Sequence, residues 1–361
     1  GRYLSQQATG APLTGSVALS RWDVHHCCDG QLNGFDTDMT PWREWLFQER
    51  LRSYLDRLAR SSKPIVIGPW RSEVGFEVLY WLPWLAWLRE HYKIEPERLF
   101  VIARGGSGVW YDALHVVDLY DYVPVGQVRK AMLADAQAHG SIKQQRVTTW
   151  ERKLVALMAH DLGLRRYHWL HPSWCYRALT PWWEGRMGHQ TVLSRLRFGV
   201  LSVPHPPLTL ALPEKFVAVR FYARHTWPMT EDLRAWTATL VDRLASRIPV
   251  VLLDTTSEAD EHQDFPLSGP NIVSLAPHVT LANNLAMQSA VLAKAQGFVG
   301  TYGGTLQLAV RLHKPAVGFF STFEGTAYAH KHLTEWLGVQ QRTPVLIGRP
   351  DDAQFVHEAV G

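Results

Sequence analysis

Short apolar runs alternate with helical segments in both halves of this chain, and this alternation constrains its fold more than any other feature. The first half has apolar runs at 64–68 and 99–103 on either side of a helical pattern at 75–92. The second half has apolar runs at 216–221, 249–253, 271–275, 297–301 and 315–320, separated by helical patterns at 231–245, 284–295, 304–312 and 329–337. Strands that alternate with helices pair in parallel through right-handed crossovers. The sequence therefore predicts an α/β protein of two Rossmann-like halves with a ligand cleft between them.

A proline-rich stretch separates the two halves. Four prolines lie within residues 202–213, a density that is typical of a linker. We predict an N-terminal domain at 61–203, a linker at 204–213 and a C-terminal domain at 214–361. Residues 1–60 are predicted to form an arm followed by a helix at 41–60, which begins at a proline. The stretch 107–200 is predicted to be mainly helical.

Composition excludes several classes of protein. Hydrophobic residues make up 46% and charged residues 19% of the 361 residues, so the chain can bury a sizeable core. No apolar run reaches the ~18 residues of a membrane span, and no signal-peptide pattern opens the chain. A net charge of +4 without a basic run does not suit a nucleic-acid binder. These features predict a soluble, cytoplasmic protein with no nucleic-acid partner.

The cysteines indicate neither disulfides nor a metal. Cys27 and Cys28 are adjacent and Cys175 is remote, so the three form no disulfide framework and no zinc spacing. His25 and His26 precede the adjacent pair, but neighbouring residues point in different directions and rarely converge on one ion. We expect no metal and no cofactor.

A glycine turn follows the strand predicted at 297–301. Thr301 ends the strand, Gly303 and Gly304 form the turn, and Thr305 lies in the first turn of the next helix. The unpaired N–H groups of a helix start and its positive end bind anions, and glycine lets a phosphate approach the backbone. Tight packing between strand and helix would use the same glycines, and the sequence does not choose between these two interpretations.

The segment 297–320 resembles the C-terminal half of GT-B glycosyltransferases, especially the bacterial lipopolysaccharide heptosyltransferase group. In that group a strand ends in a turn with threonine and glycine, followed by a Leu/Ala helix and a further strand. The family usually has an acidic residue beside the threonine, where this chain has Tyr302. The resemblance implies a GT-B-like fold, with two Rossmann-type domains facing each other across a cleft.

A second similarity to this group lies at 216–228, a strand with a polar loop that leads into Trp-Pro. The resemblance implies that Arg220, Arg224 and His225 reach the cleft and bind the donor together with the glycine turn. Arginine suits a diphosphate because its planar guanidinium gives paired, always-charged donors. A surface loop with solvated charges is the alternative.

A third similarity lies at 75–85, where the group places an acidic residue six positions before Pro-x-Leu. Counting back six from Pro83 gives Glu77, and Glu73 lies one turn earlier. Either acid would serve as the catalytic base for the acceptor hydroxyl, with a pKa raised by burial beside aromatic residues. If the reaction retains configuration, one of the two would be the nucleophile instead. Capping of the helix start is the alternative for both.

Further residues have weaker signals. Arg104 follows the second strand and His171 lies in a tryptophan-rich region, so both are predicted to contact the acceptor. Glu324 and His330 follow the strand at 315–320, at the end where the resemblance implies that the donor sugar lies, and Glu324 would bond sugar or ribose hydroxyls. A flexible loop at Arg104 and helix capping at Thr326 are the competing interpretations.

The resemblance implies a glycosyltransferase that moves a sugar from a nucleotide-activated donor to a glycan or lipid-linked glycan, in bacterial surface polysaccharide synthesis. It requires no metal, since fixed donors hold the phosphates, and it admits peripheral association with a membrane. A CMP-sugar-dependent transferase of Kdo or sialyl type is one alternative, and a non-catalytic glycan-binding module of this fold is another. A Rossmann oxidoreductase is disfavoured, because Gly68-Pro69-Trp70 stands where GxGxxG would follow the first strand.

Overall fold

The first half folds around a parallel four-stranded sheet. The computed structural model describes residues 41–139, 143–203, 206, 210–224, 226–255, 263–322 and 325–353. The strands of this sheet are β1 (Ile65–Ile67), β2 (Leu99–Ala103), β3 (His115–Asp118) and β4 (His168–Leu170), in the order β3-β2-β1-β4. The two predicted strands are confirmed. The other two lie in the stretch predicted to be mainly helical, because three- and four-residue strands with polar ends give no clear period.

Eight helices pack around this sheet. They are α1 (Pro41–Arg60), α2 (Val74–Phe76), α3 (Leu82–Tyr92), α4 (Leu119–Tyr122), α5 (Val125–His139), α6 (Thr149–Asp161), α7 (Ser173–Trp183) and α8 (His189–Leu193). The predicted helix at 75–92 is helical but divided, since a π-helical turn at Glu77–Trp81 separates α2 from α3. Pro83 lies at the start of α3 and lacks the N–H that a continuous α-helix requires, which accounts for the wider turn before it.

The second half folds around a parallel six-stranded sheet. Its strands are β5 (Val217–Arg220), β7 (Val250–Leu252), β9 (Ile272–Ser274), β10 (Gly297–Thr301), β11 (Ala316–Phe319) and β12 (Val345–Gly348), in the order β12-β11-β10-β5-β7-β9. Two short strands, β6 (Tyr222–Ala223) and β8 (Gln263–Asp264), pair antiparallel beside it. The helices are α9 (Glu231–Ala245), α10 (Asn284–Lys294), α11 (Gly304–Arg311) and α12 (Gly325–Gln341). This is the doubly wound strand order, and it confirms the predicted Rossmann-type architecture.

Each sheet has one point at which the strand order reverses. In the second sheet the chain proceeds outward from β5 in one direction and from β10 in the other. In the first sheet the corresponding neighbours are β1 and β4. Open α/β sheets bind ligands outside the carboxyl ends of the strands at such a switch point. The loops after β1, β4, β5 and β10 are therefore the places to look for a functional site.

The two halves face each other and share one apolar cluster. Phe76 and Trp81 of the first half belong to the same buried cluster as Tyr302 and Leu306 of the second. The backbone N–H of Ala286 donates to the Gly105 carbonyl across the boundary at 3.0 Å. Over this stretch the predicted cleft is closed by side chains.

Some predicted features lie outside the described residues. These are the N-terminal arm at 1–40, with its histidines and cysteines, and residues 204–205 and 207–209 of the predicted linker. The domain boundaries stay predictions.

Candidate active site between the two halves

An ion pair joins the switch points of the two sheets. Arg224 Nη2 lies 2.9 Å from Glu73 Oε1, and the two side chains are 23% and 21% exposed. Glu73 ends the loop that follows β1, and Arg224 follows β6 in a tight turn closed by reciprocal backbone bonds with Trp227. The pair therefore connects the two halves and remains partly accessible to solvent.

The contacts of Glu73 and Arg224 argue against the structural alternatives, which were helix capping for Glu73 and a solvated surface charge for Arg224. Glu73 occupies the N-cap position of α2, but its side chain makes no capping hydrogen bond. Arg224 is half-buried against a carboxylate of the other half, so it is not a solvated surface charge. His225, predicted to act beside it, lies outside the described residues, as does Glu324.

The charge state of Glu73 differs from the expectation. Burial alone would raise its pKa, but the Arg224 guanidinium and the Lys143 ammonium outweigh burial, and the pKa lies below its ordinary value. The sequence led us to expect a raised pKa for a catalytic base, but in this state the pKa of Glu73 is lowered. The expectation considered the aromatic neighbours and not the two cations.

Lys143 and His330 complete this cluster. Lys143 was not predicted, whereas His330 follows the strand at 315–320, at the end where the resemblance implies that the donor sugar lies. The Lys143 ammonium lies 4.7 Å from the centre of the Phe76 ring, and burial lowers its pKa. His330 Nδ1, on α12, lies 2.5 Å from Tyr80 Oη. Burial, aided by the nearby Lys143, lowers the pKa of His330 to about 3, so the ring is neutral at physiological pH. A lone lysine outside any motif, such as Lys143, carries no sequence signal.

The glycine turn before α11 lies at the same boundary. A Cβ on Gly303 would collide with Tyr222 Oη, and one on Gly304 would lie 2.9 Å from the Gly75 backbone nitrogen. Packing therefore explains both glycines. Both remain half-buried rather than enclosed, and the first-turn N–H groups of a helix have no intrahelical partner. The tip of α11 is therefore packed against α2 on one side and is partly exposed at Gly303 and Gly304.

The other predicted donor residues hold the loop after β5. Thr301 is fully buried, and its Oγ1 accepts from the Tyr222 N–H at 3.1 Å. Arg220 Nε donates to Asp264 Oδ1 at 3.0 Å, and its Nη1 lies 3.5 Å from Thr305 Oγ1. These contacts hold the carboxyl ends of β5 and β10 in place. We expect Arg220 and Thr301 to affect ligand binding indirectly, by positioning the loop that follows β5.

Glu77 and Arg104 are buried together inside the first half. Glu77 has no exposed surface, accepts a hydrogen bond from the Tyr111 hydroxyl, and lies 3.7 Å from Arg104 Nη2 through its Oε2. Arg104 also donates to the Ser72 carbonyl. Both side chains are buried and present almost no surface to a ligand. Glu73 has extended backbone angles, so the spacing of four residues does not place the two acids on one helical face.

His171 is part of a buried polar network rather than an acceptor wall. Its Nε2 lies 3.0 Å from Glu151 Oε1, and Arg71 Nη2 lies 2.8 Å from the same oxygen. Gln144 Nε2 donates to the Pro69 carbonyl and to Glu151, both at 2.8 Å. We call Arg71, Gln144, Glu151 and His171 the Glu151 network. It fixes the loop 68–73 from behind and so positions Glu73, while leaving His171 no exposed surface for an acceptor.

Two searches of the structure gave negative results. Within the described ranges, no three histidine, cysteine, aspartate or glutamate side chains form a group able to hold a metal ion. None of the described helices combines the length and apolar character needed to cross a bilayer.

Comparison with known proteins gives structural likenesses only. No family model and no curated protein matches the sequence. E. coli heptosyltransferase WaaC with ADP is 14% identical, with 82% of this chain and 99% of that chain covered and a TM-score of 0.40. A glycosyl transferase of family 9 from Veillonella parvula is 10% identical over 83% of this chain and 89% of its own, with a TM-score of 0.44. UDP-GlcNAc 2-epimerase from Methanocaldococcus jannaschii is 10% identical over 79% and 88%, with a TM-score of 0.35. The first two of these are glycosyltransferases, the kind of enzyme that the sequence resembles. At these scores the likenesses carry no inference, and the fold rests on the strand order of this chain.

Proposed function

We propose that this chain is a glycosyltransferase that moves a sugar from a nucleotide-activated donor to a hydroxyl of a glycan or lipid-linked glycan. The observation that supports the proposal is the Glu73–Arg224 ion pair, formed where the switch points of two parallel sheets meet. A carboxylate from one half and a guanidinium from the other are the groups required to activate an acceptor and to hold a phosphorylated donor.

The donor would bind to the second half, with its phosphates between Arg224 and the tip of α11. Arg224 supplies fixed positive charge, and the first turn of α11 supplies backbone N–H groups. Lys143 adds a second cation at this point, since it is electrostatically coupled to both Glu73 and Arg224. Residues of this kind stabilise a leaving phosphate without a metal ion.

Donor binding would also prepare the base. A diphosphate that takes Arg224 as its partner releases Glu73 from the contact that lowers its pKa. Burial, which raises the pKa, then has the larger share, so Glu73 becomes a stronger base when the donor is present. Without a donor, Arg224 keeps the Glu73 carboxylate ionised and makes it a weak base. A bound phosphate would remove this effect.

The reaction then follows from these positions. The acceptor oxygen forms a bond to the anomeric carbon as the bond from that carbon to the phosphate oxygen breaks. The acceptor proton passes to Glu73, and the negative charge of the leaving nucleotide is held by Arg224 and the helix tip. His330 and Tyr80 stay neutral beside them, since burial raises the pKa of Tyr80 well above its ordinary value.

Thermal shifts with UDP, GDP, ADP, CDP and CMP test this proposal. A nucleotide at a hundred times its dissociation constant stabilises the folded form by about 2.7 kcal/mol. We expect a nucleoside diphosphate to raise Tm in the wild type, and Arg224→Gln to abolish the rise. Arg234→Gln, a change at an exposed arginine of α9, is the matched control and should leave it intact.

Three outcomes have distinct meanings. A shift with CMP alone would favour the CMP-sugar alternative. Glycan binding without any nucleotide shift would favour the non-catalytic module. A nucleotide shift that survives Arg224→Gln would place the phosphates elsewhere and contradict the proposal.

A further inference from the structure

An apolar cavity lies inside the first half, apart from the candidate site. Its volume is about 350 Å³, and it lies beside β1, β2, α1 and α3. Leu58, Ile67, Leu85 and Val101 are typical of its lining, which is mainly aliphatic. Val200, at its edge, is 80% exposed, so the cavity borders on solvent. Its volume falls at the lower end of the range of about 300–1,000 Å³ for small-molecule sites.

One charged side chain of the second half lines the same cavity. Arg311, the last residue of α11, is 2% exposed. Within the described part of the chain, neither its Nε nor its Nη1 has a hydrogen-bond partner. The guanidinium carbon lies 5.2 Å from the centre of the Phe198 ring, which satisfies none of its N–H groups. Burial lowers its pKa only to about 10, so it is charged at neutral pH.

The other charges of the lining already have partners. Arg89 Nη1 pairs with Asp112 Oδ2, and Arg197 Nε pairs with Glu90 Oε2, both at 2.8 Å. Asp112, the carboxylate of the lining, thus faces Arg89. A buried charge without a hydrogen-bonded partner is strongly unfavourable. The position of Arg311 therefore indicates an anion that is bound from outside the chain.

We propose that this cavity binds a single-chain anionic amphiphile, whose carboxylate or phosphate accepts hydrogen bonds from Arg311 while its alkyl chain lies among the aliphatic side chains. Apolar cavities of this kind stay dry and take up apolar ligands, and a charge-assisted hydrogen bond is strong where water is excluded. This inference does not depend on the proposed transferase activity, because it uses none of the residues of that site.

Calorimetric titration of the full chain with four dodecyl compounds below their micelle concentrations tests the proposal. Dodecanoate and dodecyl phosphate are expected to bind, and the better of them identifies the head group. Dodecanol and dodecyltrimethylammonium, with the same chain and no negative charge, are expected to bind at least about tenfold more weakly. Equal binding of the anionic and cationic compounds would overturn the proposal.

Two substitutions locate the site. Arg311→Met is expected to weaken dodecanoate binding at least about tenfold and to raise the Tm of the empty protein, because it removes an unpaired buried charge. Arg243→Met, at an exposed arginine of α9, is the control and should change neither. Ala86→Phe, which fills the cavity from α3, should abolish binding even if Arg311→Met fails to fold. Dodecanoate binding that survives Ala86→Phe, or a folded Arg311→Met with unchanged affinity, would refute the assignment.

Discussion

Arginine–carboxylate contacts extend from the single loop 68–73 in two directions. Arg71 points into the first half and meets Glu151, with side chains 3% and 0% exposed, and it also contacts the partly exposed Asp135. Glu73, two residues later, points across the boundary and meets Arg224, with side chains 21% and 23% exposed. The first pair is enclosed by further hydrogen bonds from Gln144, His171 and Thr148. The second can exchange its partner for a ligand.

The difference teaches which pair supports the fold and which serves function. A buried pair with all its hydrogen bonds satisfied gives rigidity, and losing one member leaves an uncompensated charge. A half-exposed pair between two halves stabilises little but holds two reactive groups ready. Three substitution experiments would break or sharpen this comparison.

Glu73→Gln is expected to have the largest effect. It removes the proposed base and should lower the rate of sugar transfer by about 10²–10⁴-fold, while the free energy of unfolding changes by only about 1 kcal/mol. Initial rates and urea denaturation measure the two quantities. Glu90→Gln, at a carboxylate of α3 that is 63% exposed, is the matched control. An unchanged rate would remove Glu73 from the mechanism and leave the half-exposed pair without a function.

Glu151→Ala is expected to act on stability. It leaves His171 buried without its carboxylate and leaves Arg71 with only the partly exposed Asp135 as a partner, which should lower the free energy of unfolding by about 3 kcal/mol. Urea denaturation followed by tryptophan fluorescence measures the loss. Glu184→Ala, at a carboxylate 40% exposed and paired with Arg186, should cost no more than about 1 kcal/mol. Similar losses for the two variants would contradict the contrast drawn between enclosed and accessible pairs.

The pH dependence of stability gives the smallest effect. Both Glu73 and Glu151 have a folded-state pKa below the ordinary value. Their ionised forms therefore stabilise the fold above the unfolded-state pKa of about 4.3, and this stability is lost as pH falls through the folded-state pKa. As pH falls from about 4.3 towards the folded-state pKa values, the free energy of unfolding should fall more steeply in the wild type than in Glu151→Gln, with Glu73→Gln between them. Parallel curves for all three proteins would show that neither carboxylate is linked to folding.

Much of the architecture could be predicted from the sequence because it depends on local patterns. The helix Pro41–Arg60, the strand Leu99–Ala103 and the helix Glu231–Ala245 lie where periodicity predicted them. The strands β4 and β12 were missed, because strands of three or four residues next to polar residues lack a period that a sequence pattern can reveal. The divided helix around Glu77 was only half anticipated, since Pro83 predicted an interruption but not the wider turn before it.

The candidate site was predicted only where the carboxyl end of a strand marks it. Arg224 and Glu73 follow β6 and β1, so their positions near a switch point could be inferred, although not their direct contact. Lys143 could not be found, because it lies outside any motif. His330 was placed near the donor end by the strand that precedes it, but its contact with Tyr80 forms only in the folded chain. Glu77, Arg104 and His171 show the opposite case. These residue types suit catalysis or binding, but here they are buried in polar contacts inside the first half.

The apolar cluster shared by the two halves has a consequence for how a substrate enters. Opening the molecule about a hinge would hydrate aromatic rings such as Phe76 and Tyr80, which contact His330 of the second half, at a large cost in free energy. A substrate must instead enter by local exchange. Its phosphate replaces Glu73 as the partner of Arg224, while the two halves keep their relative positions. Recognition of the first ligand would then be a competition with the protein's own carboxylate rather than the filling of an empty space.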